Sequence, residues 1–264
     1  METFLLFIHW NASPEILHIG NVVLRWYGLL FALGFVVGYL IMQKIFIKEG
    51  KTQKDLDALT VAMVLGTIVG ARLGHCLFYE PSYYLSNPEK ILYIWEGGLA
   101  SHGGAIGILT ALYFYIKRRP HMNFLWLVDR LVIVTALAGG FIRLGNFFNS
   151  EIYGAPANIP WAVIFERVDS IPRHPSQIYE AIAYFATFLI LLLNYRKSKN
   201  NLKEGYNFGL FLILVFGFRF LIEFLKAPQV DFETQMALNM GQILSVPFIL
   251  SGFFFMLRKP KKLN

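Results

Sequence analysis

Residues 131–154 read LVIVTALAGGFIRLGNFFNSEIYG. An uncharged run from Leu131 to Ile142 leads into Arg143. Asn146, Asn149, Glu151 and Gly154 then follow within about a dozen positions. An uninterrupted apolar run of this kind is the mark of a helix in hydrocarbon. Its abrupt end in a guanidinium, two amides and a carboxylate places hydrogen-bonding groups where such a helix leaves the membrane. That combination, in a glycine-containing turn, can cradle an anionic head group.

The whole chain has the composition that this stretch implies. Its 264 residues are 56% hydrophobic and only 16% charged, with a mean hydropathy of +0.50, too apolar for an ordinary soluble domain. The 25 Phe, 13 Tyr and 5 Trp suit lipid and headgroup levels. The single cysteine, Cys76, excludes an internal disulfide and a sulfur-ligated metal centre. In its apolar surroundings it reads as a small packing residue. His9, His18, His75 and His121 show no metal-ligand spacing, so neither a metal nor a cofactor is expected. The start, METFLLFIHW, lacks the basic region of a cleaved signal, and residues 1–20 are expected to form an interfacial segment.

A helix crossing about 30 Å of hydrocarbon needs roughly 20 mainly apolar residues. Seven windows qualify: 22–43, 56–79, 98–116, 124–143, 176–194, 207–225 and 241–257. The expected fold is therefore an all-α polytopic membrane protein of about seven transmembrane helices, forming one catalytic domain over 1–264. Its glycine-rich runs (GLLFALGFVVG, LGTIVGARLG, HGGAIG) suit close helix approach in lipid. Lipid-exposed sheet is disfavoured, because its edges would leave backbone groups unpaired.

Net charge is +7, but its distribution argues against nucleic-acid binding. Most of the lysines and arginines fall at 44–54, 117–119, 196–203 and 258–262, after windows one, three, five and seven. By the positive-inside rule these are cytoplasmic, which puts the N-terminus outside and the C-terminus inside. The segments 80–97, 144–175 and 226–240 are then external, with 144–175 forming a small head.

Tyr27, His102, Arg143, Asn146, Glu151, His174, Gln177 and Glu180 all fall at the external ends of windows or in external loops. Mid-membrane, such ionisable groups cost about 2.5 to 3.5 kcal/mol each on insertion scales, so their gathering suggests a site. Arg143 alone would pass for a snorkelling arginine. Arg219, a dozen residues into the sixth window, lies too deep for that. Glu223 and Lys226 follow it at helical spacing, so a self-neutralising pair is one reading and an anion site another. His102 lies in GGLASHGGAIG, where Gly103 and Gly104 permit close approach and a neutral imidazole can accept a proton. In RHPSQIYE, Pro175 and Ser176 are helix-start chemistry. That does not account for His174, Gln177 and Glu180 arriving together.

Taken in order, RWYGLLFALGF, GARLGHCLFYEPSYYL, WEGGLASHGG, RLGNFFNSEIYG, RHPSQIYE, FRFLIEFLKAP and MGQILS resemble the prolipoprotein diacylglyceryl transferases of bacterial inner membranes. The matches run from about residue 25 to 246. The resemblance implies transfer of the diacylglyceryl group of phosphatidylglycerol, a membrane lipid, to the lipobox cysteine thiol of a prelipoprotein signal peptide. A thioether forms and glycerol 1-phosphate leaves, the first step of lipoprotein maturation. It also implies a site toward the outer leaflet. Arg143 and Arg219 would be the essential arginines and His102 the HGG histidine, adjoining Gly103 and Gly104. Tyr27, Asn146, Glu151, Gly154 and Glu223 would bind substrate, with Arg72, His174, Gln177 and Glu180 in support. Two positions depart from the pattern, Val215 where the family usually has Tyr and Lys226 where it usually has Arg.

Two other readings stay open on the residues alone. A carrier for an anionic solute or lipid would also use Arg219 and Glu223, though it calls for a midplane site reachable from both sides. A scaffold for other membrane proteins would call for no deep arginine.

Overall fold

Each of the seven apolar windows forms a helix in the computed structural model, which describes residues 7–20, 22–198, 202–226 and 236–258. In chain order the helices are α1 (Trp26–Lys48), α2 (Gln53–Phe78), a short α3 (Pro81–Ser86), α4 (Ser101–Lys117), α5 (Phe124–Asn149), α6 (Ser176–Lys197), α7 (Tyr206–Ile222) and α8 (Met240–Leu257). A 3-10 turn, Glu223–Leu225, extends α7. Six of these are long and apolar enough to cross a membrane. The helix of the third window, α4, has 17 residues, about 26 Å at the helical rise. Residues 1–6, 227–235 and 259–264, which carry part of the N-terminal segment, of the third external loop and of the last basic cluster, lie outside the described residues.

The structure is mostly helical, as expected for a polytopic all-α membrane protein, and carries a little sheet outside the apolar helices. Among the described residues there are five short strands: β1 (Ile8–Trp10), β2 (Glu15–Ile19), β3 (Val22–Arg25), β4 (Val163–Phe165) and β5 (Pro172–Arg173). β1 pairs parallel with β4, and β4 pairs antiparallel with β5. β2 and β3 form an antiparallel hairpin. None lies within an apolar helix, so the penalty on open sheet edges in lipid does not apply. With two to five residues apiece they are also too short to show a period-two pattern.

The chain forms two compact units, one of residues 1–41 with 125–264 and one of residues 42–124. In the first, glycines set how closely helices approach. A Cβ on Gly34 or Gly38 would meet Ala138 at 3.2 Å or Val134 at 3.4 Å, and one on Gly209 would lie 2.8 Å from Met256. Aromatic rings hold the small sheet to the helix ends. Trp10 lies 4.4 Å from Phe147, Trp26 stacks on Phe148 at 4.7 Å, and fully buried Phe165 packs on Phe147 and Tyr153. The two phenylalanines of RLGNFF are therefore the joint between α5 and the head. Asp129 caps α7 from a neighbouring helix, accepting from Gly205 N at 2.6 Å and Phe208 N at 2.8 Å.

In the second unit α2 and α4 run in close contact. Cβ atoms built on Gly66 and Gly70 would lie 2.8 Å from Gly107 O and 2.7 Å from Gly107 Cα, and one on Gly103 would collide with the Gly70 carbonyl. Small residues every fourth position make this possible, as in other lipid-embedded helix pairs. Arg119 closes one end of the pair, with Nε 2.9 Å from Asp55 Oδ1. Tyr115 donates to the Asp55 carbonyl at 2.9 Å.

Candidate active site

Five ionisable residues of the first unit, Arg143, Glu180, Arg219, Glu223 and Lys226, meet where α5, α7 and the turn after it end and where α6 and α8 begin. Arg143 Nε lies 2.7 Å from Glu180 Oε2, and its Nη1 donates to Asn146 Oδ1 at 3.3 Å. The other Glu180 oxygen lies 2.7 Å from Lys226 Nζ, which is also 3.5 Å from Glu223 Oε1. That oxygen in turn lies 3.9 Å from Arg219 Nε. The result is a continuous alternation of charge from Arg143 through Glu180, Lys226 and Glu223 to Arg219. Three cations face two anions, leaving one positive charge over. Its inner members are buried, with Glu180 and Lys226 side chains 5% and 6% exposed, whereas Arg219 is 46% exposed and open to a ligand.

Tyr184 lies within electrostatic reach of both ends of this chain, interacting with Arg143, Glu180 and Arg219. It comes one helical turn after Glu180 on the same face, and Gly139 leaves the space its ring fills, since a Cβ there would lie 2.7 Å from Tyr184 Cδ1. Gly241 plays the same part for Glu223, whose carboxylate carbon would be 2.6 Å from a Cβ. Asn239 Nδ2 donates to the other Glu223 oxygen at 3.2 Å. Asn239 and Gln242 form the capping box that starts α8. The composition of 131–154 points to none of these partners. The i+4 spacing of Tyr184 and the N-x-x-Q of the cap were the available signals.

A second layer holds Arg143 in place. Asn146 donates to Glu151 Oε1 at 2.7 Å and Asn149 to the same oxygen at 3.2 Å. Tyr27 packs on Gly145, where a Cβ would lie 2.8 Å from the ring, and interacts electrostatically with Glu151 and Arg143. The turn carrying Glu151 is strained. Ser150 and Ile152 both adopt left-handed φ, at 56° and 57°, a cost of order 1–3 kcal/mol each for such residues. Two fully buried side chains at the start of α6 fix it. Ser176 Oγ donates to the Ile152 carbonyl at 2.8 Å, and Gln177 Nε2 donates to that of Glu151 at 2.8 Å. Gly154 sits where a Cβ would be 2.7 Å from His174 Cβ and 2.8 Å from Leu225 O. His174 Nδ1 lies 3.4 Å from the Tyr179 hydroxyl.

His102, Gly103, Gly104 and Arg72 belong to the second unit. His102 is exposed and its ring lies 5.5 Å from Phe78 and 5.7 Å from Tyr79. Gly103 and Gly104 are buried against α2. Buried Arg72 gives its donors to main-chain carbonyls, with Nε to Ile91, Nη1 to Gly97 and Gly98, and Nη2 to Lys90. Positive φ at Gly97 and Gly98 turns those carbonyls toward it, so Arg72 shapes the loop that leads into His102. Among the described residues no three His, Cys, Asp or Glu side chains gather in a way that could hold a metal ion.

A family model described as prolipoprotein diacylglyceryl transferase matches residues 14–258. The chain belongs to this family. It is 52% identical over 255 residues to the phosphatidylglycerol--prolipoprotein diacylglyceryl transferase of Tolumonas auensis, covering 97% of this chain and 98% of the relative. Proteins of the same name from Chloroherpeton thalassium and Bacteroides fragilis are 46% and 43% identical, over 97% and 99% of this chain and 96% and 99% of theirs.

Proposed function

We propose that this chain transfers the diacylglyceryl group of phosphatidylglycerol to the lipobox cysteine thiol of prelipoproteins. It acts as a multi-pass enzyme of the bacterial inner membrane, a transferase of a non-methyl alkyl group. The observation that carries the reading is the charge chain, whose surplus of one positive charge matches a monoanionic phosphodiester and whose most open member is Arg219.

In the reaction the thiol sulfur attacks the glyceryl carbon that bears the phosphate. A sulfur–carbon bond forms, the carbon–oxygen bond breaks, and the electron pair leaves with glycerol 1-phosphate. Charge grows on the departing phosphate, where Arg143 and Arg219 offset it. Preorganised donors of this kind are worth about 10²–10³ in rate apiece. A free thiol, whose ordinary pKa is about 8.5, is mostly protonated at neutral pH, and His102 takes its proton as general base. Tyr27, Asn146, Glu151 and Gly154 hold Arg143 toward the head group. Arg72 supports the loop before His102, as His174 and Gln177 support the Glu151 turn. The basic clusters after windows one, three, five and seven support an external N-terminus, a cytoplasmic C-terminus and a site toward the outer leaflet. The charge chain lies at one end of the helices that carry it, which suits this chemistry better than a carrier with a midplane site.

Purified protein, phosphatidylglycerol and a lipobox peptide test the assignment by mass spectrometry. A diacylglyceryl adduct on the peptide cysteine is expected, retained in Cys76→Ala and absent in Arg143→Ala. No adduct with the wild type would overturn it. His102→Asn turning over normally with an unchanged pH profile would remove the base from the scheme.

A further inference from the structure

The second unit carries a groove along the seam of α2 and α4, with a volume of about 1170 Å³. From Asp55 to Leu77 its α2 wall is about 33 Å long at the helical rise, the thickness of a bilayer core. Its floor is low because Gly66, Gly70, Gly103 and Gly107 let the helices touch. Its rims are exposed Leu65, Val69, Ile106 and Phe114. The hydroxyl near its middle, on Thr110, is already spent on the Ile106 carbonyl. Such a wall suits a hydrocarbon chain.

One end differs. There the groove is lined by Arg118, Arg119, His121 and Asp55. Arg119 neutralises Asp55 at 2.9 Å, and His121 Nε2 lies 3.5 Å from the other Asp55 oxygen. The exposed Arg118 guanidinium makes no hydrogen bond or ion pair among the described residues. Arg118, Arg119 and Asp55 together leave one positive charge at this end, beside the first turn of α2, whose helix dipole adds to it.

We propose that this groove is a second phospholipid site, distinct from the catalytic charge chain, which retains an anionic phospholipid. Its acyl chain lies between α2 and α4, and its phosphodiester meets Arg118 beside the Arg119–Asp55 pair. Basic pockets between membrane helices take anionic head groups in this way. The charge selects this occupant over a helix. In the orientation proposed above, a signal helix would bring its own basic flank to Arg118 and be repelled.

The test is native mass spectrometry of delipidated full-length protein titrated with phosphatidylglycerol and, separately, phosphatidylcholine of the same chains. Phosphatidylglycerol is expected to give one more tightly held adduct than phosphatidylcholine at the groove. Arg118→Gln is expected to weaken that adduct about tenfold by charge, and Thr110→Trp by filling the groove. Both variants should keep the wild-type melting temperature in detergent, and Arg143→Ala should keep the groove adduct. Equal retention of the two lipids, unchanged adducts in both groove variants, or loss of every phosphatidylglycerol adduct in Arg143→Ala would each overturn the assignment. So would tighter capture of a synthetic signal peptide than of phosphatidylglycerol in the same titration.

Discussion

Glu180 and Arg143 form a buried ion pair, Oε2 to Nε at 2.7 Å, on helices α6 and α5. The same carboxylate holds Lys226 at 2.7 Å, so a single acidic side chain positions a cation at either hand. Breaking a buried pair by removing one partner costs about 3–5 kcal/mol, because the remaining charge is left uncompensated.

Glu180→Gln is therefore expected to lower the melting temperature. It should also cut kcat/KM by roughly 10²-fold or more, since Arg143 loses its orienting partner. Kinetics on the folded fraction separate the two effects. A variant that melted early yet turned over normally would show that Glu180 serves stability alone.

Gly70 lies on Gly107 so closely that a Cβ would be 2.7 Å from the Gly107 Cα. Gly70→Val should force α2 and α4 apart, a loss of the order of 1–3 kcal/mol for overpacking, with Gly70→Ala between it and wild type. Gly217→Ala is the control, because a Cβ there meets nothing within 4 Å. Thermal unfolding in detergent ranks the three.

Asp169 sits in the head, and its carboxyl is held below the usual carboxylate range first by the Arg173 hydrogen bond and then by the Ile171 amide. Because folding depresses its pKa, its contribution to stability is complete above the unfolded value, about 3.9. It is lost as pH falls through the lower folded value. Hydrogen-exchange protection across residues 163–173, taken relative to the intrinsic exchange rate at each pH, should therefore fall on going from pH 5 to pH 3. In Asp169→Asn that local acid dependence should shrink.

The helices were legible because hydrocarbon imposes one rule on every residue of a span, and soluble folds rarely produce windows of about 20 mainly apolar residues. The strands were not. β4 and β5 hold five residues between them, and the other partner of β4, β1, lies some 150 residues away, a pairing that periodicity cannot encode. Within the site, Arg143, Glu180, Glu223 and Lys226 declared themselves as charges beside apolar runs. Their connection did not, since Glu180 and Lys226 are 46 positions apart and only the packing of α6 against the end of α7 brings them together. Tyr184 went unnoticed for a different reason. A tyrosine in an apolar helix is unremarkable until the glycine opposite, Gly139, is seen to admit its ring.

The cap that Asp129 places on α7 bears on biosynthesis. Its acceptor oxygens are fully buried, and the Gly205 amide that satisfies one of them is 76 positions further along the chain. When α5 first enters the bilayer neither amide that this carboxylate caps has been made, and both arrive only after α6, with the start of α7. Chains cut short anywhere in that interval would carry a buried-type carboxylate without the two amides that satisfy it in the finished fold.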